Sequence, residues 1–271
     1  MTPEIKEHRI DSRRYGYIDE GSGNAVVLLH GHFIAEGQWD PQIPALVDAG
    51  YRVICPHRAG MGASDPSDFM SDAGDADDTF LLLGSLGVRE CVAVGHSAGT
   101  AHARQMLLSR SGRVSGIVFA DGLFYLSGAS SRLGTERYSP GTLKAYEKNR
   151  AVLEANDLPW YYPSDYNVSL LEEWNAWVRR HPNAREELQR RDDPRNVHFG
   201  PERTCEVPML VIASGWGKIR PGDPEEIALR NRLPGPDAEV VVLTECGHYV
   251  QLEQAEAFNR ALLDFLARVY Q

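Results

Sequence analysis

The chain has 271 residues, and its 28 Lys+Arg against 38 Asp+Glu leave a formal net charge of −10. A composition of 42% hydrophobic and 24% charged residues is that of an ordinary globular chain and excludes wholesale disorder. The acidic balance argues against a nucleic acid or an anionic membrane as partner.

This length suits one α/β domain carrying an insertion better than two equal domains. No run approaches the ~18 apolar residues of a membrane span, and the polar start Met1–Arg14 lacks the apolar core of a secretory signal. Cys55, Cys91, Cys205 and Cys246 are scattered, with no C-x-x-C pair. They read as reduced thiols of a cytoplasmic protein, not as a disulfide frame or a zinc site.

In chain order, Tyr15–Asp19 is a short β run, and Ala25–His30 (AVVLLH) is the continuous apolar run of a buried parallel strand, ended by Gly31. A helix is expected from about Trp39, with Ile43, Leu46 and Val47 on one face. Arg52–Cys55 is the next strand and Pro56 breaks it. The acidic run Asp72–Asp78 reads as the solvated start of a helix that continues through Thr79–Leu86, where the positive end of the helix dipole favours acids. Cys91–Gly95 is strand, Ser97–Ser109 helix and Val114–Ala120 strand.

The rhythm then stops. From about Leu123 to Glu202 there is no clear buried strand. The stretch is broken by Pro140, Pro159, Pro163, Pro182 and Pro194 and holds nearly half of the chain's aromatic residues. Afterwards Met209–Ala213 is strand, Glu225–Arg232 helix, Glu239–Leu243 strand and Glu253–Val269 helix, with Phe258, Leu262, Phe265 and Val269 as the last helix's apolar face. Alternating β and α units predict a mostly parallel, doubly wound sheet with helices on both faces. The core is expected over 1–122 and 203–271, with a helical cap over 123–202 above the C-terminal strand ends, where such sheets bind ligands. Phe33, Trp160 and Tyr161 are candidate substrate contacts.

The strongest chemical signal is Gly95-His96-Ser97-Ala98-Gly99, a G-x-S-x-G directly after a strand and directly before a helix. So tight a turn strains the serine backbone and leaves room only for small residues two positions away. It would expose Ser97 Oγ at a helix N-terminus and aim the Ala98 N–H at a developing oxyanion. His30-Gly31-His32-Phe33 ends the AVVLLH strand, and the His32 N–H is the candidate second oxyanion donor. Cys246-Gly247-His248 precedes the last helix, and an imidazole there can serve as general base. His96 is expected to pack beneath the turn, with His102 on the following helix and His57 in the Pro56–Gly62 loop. No histidine pair has metal-ligand spacing, so neither a catalytic metal nor another cofactor is expected.

On these motifs the chain resembles the α/β-hydrolase fold family over most of its length. The resemblance implies Ser97 as nucleophile, His248 as base, and His32 and Ala98 as oxyanion donors. Most members place the acid after the strand that follows the cap. Here that place reads Gly215-Trp216-Gly217-Lys218, with Asp223 five residues further on. Asp121, directly after Val114–Ala120, is the preferred acid, as in the haloalkane dehalogenases, zearalenone-type lactonases and cofactor-free quinolone 2,4-dioxygenases. The implied activity is hydrolysis of a carboxylic ester or lactone of a hydrophobic or aromatic small molecule. The alternative is a cofactor-independent 2,4-dioxygenase of a 3-hydroxy-4-quinolone-type substrate using a His248–Asp121 dyad. Against the dioxygenase stand Ala98, where those enzymes carry a second histidine, and the lack of a tryptophan near His32.

Overall fold

The computed structural model describes residues 3–31, 37–65, 71–122, 194–196, 199, 205–214, 235, 238–244 and 246–271. Nearly all of the expected cap, with Trp160 and Tyr161, therefore lies outside the described residues, as do His32, Phe33, the 215–218 turn and Asp223.

Eight strands form one sheet in the order β1-β2-β4-β3-β5-β6-β7-β8. They are β1 Lys6–Ile10, β2 Arg13–Gly21, β3 Ala25–Leu29, β4 Arg52–Pro56, β5 Cys91–His96, β6 Val114–Ala120, β7 Met209–Ser214 and β8 Glu239–Leu243. β2 runs antiparallel to β1 and β4, and every later neighbour pair is parallel. β1 was not legible in the sequence: it is a half-exposed edge strand with four charged or polar residues in five, held by its register with β2.

The central strands are apolar throughout because both faces are covered. Alternate residues go to opposite layers, as the two-residue period of a strand requires. Val27, Leu29, Ala93, Ile117, Phe119 and Val211 pack on one side with Phe80, Leu83, Ala103 and Met106. These four come from α2 Asp72–Ser85 and α3 Gly99–Ser109. Val26, Leu28, Val92, Val94, Val118 and Ile212 pack on the other side with Ile43, Leu46, Phe258, Leu262 and Phe265. Those come from α1 Gln42–Asp48 and α5 Ala255–Val269. The expected last helix, Glu253–Val269, is α5, and a short helix that was not expected, α4 Val250–Glu253, precedes it and is capped at Gln254.

One expectation is corrected. The acidic run Asp72–Asp78 does start a helix, but it is not solvated. Asp72, Asp75 and Asp78 recur every three residues and so share its inner face. Arg58, fully buried in the loop after β4, donates from Nε to Asp75 Oδ2 at 2.7 Å and from Nη2 to Asp72 Oδ1 at 2.9 Å. Arg13 grips both Asp78 oxygens at 2.9 and 3.0 Å. Two buried or half-buried arginines thus take up charges that composition alone assigns to solvent.

The chain passes from β3 to β4 on one side and from β4 to β5 on the other, so the strand order switches direction at β3/β5. A sheet of this kind opens a crevice beyond its C-terminal strand ends at such a switch. The ends of β3, β5, β6, β7 and β8 all lead there.

Candidate active site

Ser97 sits between β5 and α3 with φ +51°, and Asp121, one residue past β6, has φ +39°. With Asp11 they are the only non-glycine residues among those described with left-handed φ. Strain of this kind concentrates where surrounding structure holds a side chain in place. The Ser97 N–H donates to Ala120 O at 3.0 Å and the Asp121 N–H to Ile212 O at 2.8 Å, so adjacent strand ends fix both turns.

The small residues around Ser97 are dictated by contact. A Cβ on Gly95 would run into the Gly99 carbonyl, and one on Gly99 into the Leu29 carbonyl. Both obstacles are backbone and cannot swing away. Gly99→Ala is therefore expected to cost about 3 kcal/mol and to lower Tm by roughly 5–10 °C. A thermal melt within ~1 °C of the parent would contradict this packing.

The structure brings Ser97, His248 and Asp121 together from three strand ends. His248 Nδ1 lies 2.7 Å from Asp121 Oδ2, and His248 Nε2 lies 2.8 Å from Ser97 Oγ. A carboxylate only accepts, so the neutral imidazole carries its proton on Nδ1 and offers the Nε2 lone pair to the Ser97 hydroxyl. Burial acts to raise the Asp121 carboxyl. The hydrogen bond and charge of His248 and two hydrogen bonds from Ser214 outweigh it and hold Asp121 below the usual carboxylate range.

Ser214 is a contributor that the sequence did not reveal. Its N–H and Oγ–H both donate to Asp121 Oδ1, at 2.8 and 2.5 Å. It occupies the end of β7, beside β6. No feature of its residue type marks it, because only strand adjacency gives it meaning.

Gly31 approaches the serine as a glycine must: a Cβ there would lie 3.0 Å from Ser97 Cβ and 3.2 Å from His96 Nδ1. Its N–H donates to Gln38 Oε1 at 2.8 Å, joining the two ends of the segment that includes His32. The Ala98 backbone stands at the start of α3. His102 instead sits inside the core, with Nε2 3.1 Å from Thr79 Oγ1, and His57 Nδ1 accepts from the Ala63 N–H at 3.0 Å, away from Ser97. No group of three or more potential metal ligands occurs among the described residues. No helix among them is long and apolar enough to cross a membrane. The four cysteines are buried and unpaired with one another.

A strained serine after a central strand, bonded through histidine to a carboxylate at the end of the neighbouring strand, is the arrangement of the nucleophile-elbow enzymes built on a doubly wound sheet. The sequence profile of the alpha/beta hydrolase family matches residues 26–261, and the chain belongs to that family of enzymes. A 2-hydroxy-6-oxononadienedioate/2-hydroxy-6-oxononatrienedioate hydrolase of Pseudomonas sp is 30% identical over 92% of this chain and 90% of its own length. A 2-hydroxy-6-oxo-6-phenylhexa-2,4-dienoate hydrolase of Burkholderia cepacia is 27% identical over 97% and 94%. Among solved structures, a meta-cleavage product hydrolase of Pseudomonas fluorescens superposes with a TM-score of 0.69 at 24% identity, covering 95% of each chain.

Proposed function

We infer that the chain is a serine hydrolase of a carboxylic ester or lactone on a hydrophobic small molecule, with Ser97 as nucleophile, His248 as base and Asp121 as acid. The observation that carries this is the continuous run from Ser97 Oγ through both His248 nitrogens to Asp121, with hydrogen bonds of 2.8 and 2.7 Å. In this reading His248 Nε2 takes the Ser97 proton as Oγ bonds to the carbonyl carbon. The oxyanion is met by the Ala98 N–H and, outside the described residues, by that of His32. His248 returns the proton to the leaving alcohol, and the C–O bond breaks to give an acyl-Ser97. His248 then draws a proton from water, hydroxide adds to the acyl carbon, and the acid leaves as Ser97 regains its proton.

The relatives favour a second reading of the same residues. Their named substrates are 6-oxo dienoates with no ester, so their hydrolysis breaks a carbon–carbon bond beside a ketone. Here the carbon leaving group would be protonated in place of an alcohol.

A fluorophosphonate probe tests the shared step. Ser97 should be labelled within minutes and Ser97→Ala should not. A folded, unlabelled parent would sink both hydrolytic readings. Oxygen uptake with a 3-hydroxy-4-quinolone that is lost in His248→Ala would then establish the dyad dioxygenase in their place. With a labelled parent, p-nitrophenyl esters and lactones set against 2-hydroxy-6-oxo-6-phenylhexa-2,4-dienoate decide which bond is cut.

A further inference from the structure

His96, the residue before Ser97, is fully buried at the end of β5. Its Nε2 lies 2.7 Å from the main-chain carbonyl oxygen of His248, 152 positions away in the chain. Its ring stands 4.8 Å from the His248 ring and 5.1 Å from that of Tyr249, and Trp39 meets it edge-on at 6.5 Å. On its other side Nδ1 is 3.3 Å from Gln38 Oε1, the oxygen that takes the Gly31 N–H.

The loop bearing His248 is thus tied at three successive residues. Glu253 on α4 accepts from the Gly247 N–H at 3.0 Å and from the Tyr249 N–H at 3.2 Å. The carbonyl between them, that of His248 itself, accepts from His96. An acceptor–acceptor contact at 2.7 Å is more repulsive than one at 3.3 Å, so Nε2 carries the proton and the longer Nδ1–Gln38 Oε1 approach is left between two acceptors.

The geometry points to His96 as a positioning residue. As a neutral Nε2–H imidazole it clamps the main chain of His248 to the strand that carries Ser97, so that base and nucleophile stay in register. The role rests on the hydrolytic reading above. The alternative is that His96 only fills space beneath the turn, which a ring of similar shape would do as well. A neutral ring is also what this place requires. Burial, and then the nearby His248, push the His96 imidazole down to about 3, so that a protonated His248 meets no second cation 4.8 Å away. A misplacement of ~1 Å at a reacting group costs on the order of 10²-fold in rate, which sets the scale of the expected effect.

Two measurements test the clamp. The first uses the parent protein with 15N-labelled histidine. A two-bond 1H–15N spectrum near neutral pH, with the His96 signals assigned by their loss in His96→Gln, should show a neutral ring protonated on Nε2. A proton on Nδ1, or an imidazolium, would overturn the proposal without reference to catalysis. The second compares the rate of fluorophosphonate labelling at Ser97 in two variants. His96→Phe keeps the ring and removes the donor, and should label roughly 10- to 100-fold more slowly than the parent. His96→Gln returns an N–H to nearly the same place and should stay within about threefold. A folded His96→Phe that labels at the parent's rate, or a folded His96→Gln as slow as His96→Phe, would overturn the clamp. If the parent itself does not label, the hydrolytic reading fails by that result, and the histidine spectrum still judges the His96 contact. The spectrum also decides where His96→Phe does not fold.

Discussion

Asp121→Asn is expected to lower kcat by about 10⁴-fold with little loss of stability. The reason lies in the partners of the carboxylate. Oδ1 accepts from both the main-chain N–H and the hydroxyl of Ser214. An asparagine must place its oxygen there, because its NH₂ would face the fixed Ser214 N–H. The NH₂ then meets His248 Nδ1, which can bond to it only as an acceptor. That selects the tautomer with its proton on Nε2, aimed at Ser97 Oγ, and the base can no longer take the serine proton. Steady-state kinetics on an ester turned over by the parent, beside a thermal melt, check the result. A folded variant within about tenfold of the parent would remove Asp121 from the role proposed for it.

Acid is expected to destabilise the fold well above the range where carboxylates titrate. Three histidines are buried in the neutral form. Burial lowers the His57 imidazole to about 4 and, with the nearby His248, lowers that of His96 to about 3. Burial, followed by the charges of His57 and Arg58, holds His30 well below its ordinary value. The contacts agree: His30 Nε2 and His57 Nδ1 accept from the backbone N–H groups of Arg58 and Ala63, so protonating either would break a hydrogen bond. As pH falls below ~6.5 the unfolded chain takes up protons that the folded chain refuses, so stability rises with pH through this window and falls with acid. Each histidine should cost roughly 2 kcal/mol between about pH 7 and about pH 5, or about 6 kcal/mol together. That is a large part of the stability of an ordinary domain, roughly 5–15 kcal/mol. Urea midpoints at the two pH values measure it, and an unchanged midpoint would mean that these rings are not held neutral.

The legible parts of this protein are those where a physical requirement falls within a few neighbouring residues. The apolar runs of β3, β5, β6 and β7 announce strands covered on both faces. Gly95 and Gly99 announce the turn around Ser97, because the steric conflict they avoid is with each other and with the adjacent strand. His248 was findable because it follows the last strand, in an order consistent with a serine after β5.

Other features needed the sheet itself. Sequence left Asp121 and Asp223 in competition. The folded chain puts the Asp121 carboxylate 2.7 Å from His248 Nδ1, while Asp223 lies outside the described residues. The charge run from Asp72 looked solvated because its partners, Arg58 and Arg13, are remote in sequence. Ser214 and His96 look unremarkable in one dimension. Ser214 gains its contact because β7 pairs with β6, and His96 gains its own because the last loop folds back over β5.

The amino-acid sequence by itself determined the alternation of buried strands and helices and the elbow that strains Ser97, since both rest on periodicity or on sterics across a few residues; the family follows from the profile match over residues 26–261. Only the tertiary structure decided which carboxylate meets His248, where the acids of α2 are neutralised, and what holds the His248 loop in place. Those are hydrogen bonds and ion pairs between residues as many as 152 positions apart. Such contacts follow from the order and register of the strands in the sheet, and no local pattern of residue types encodes either.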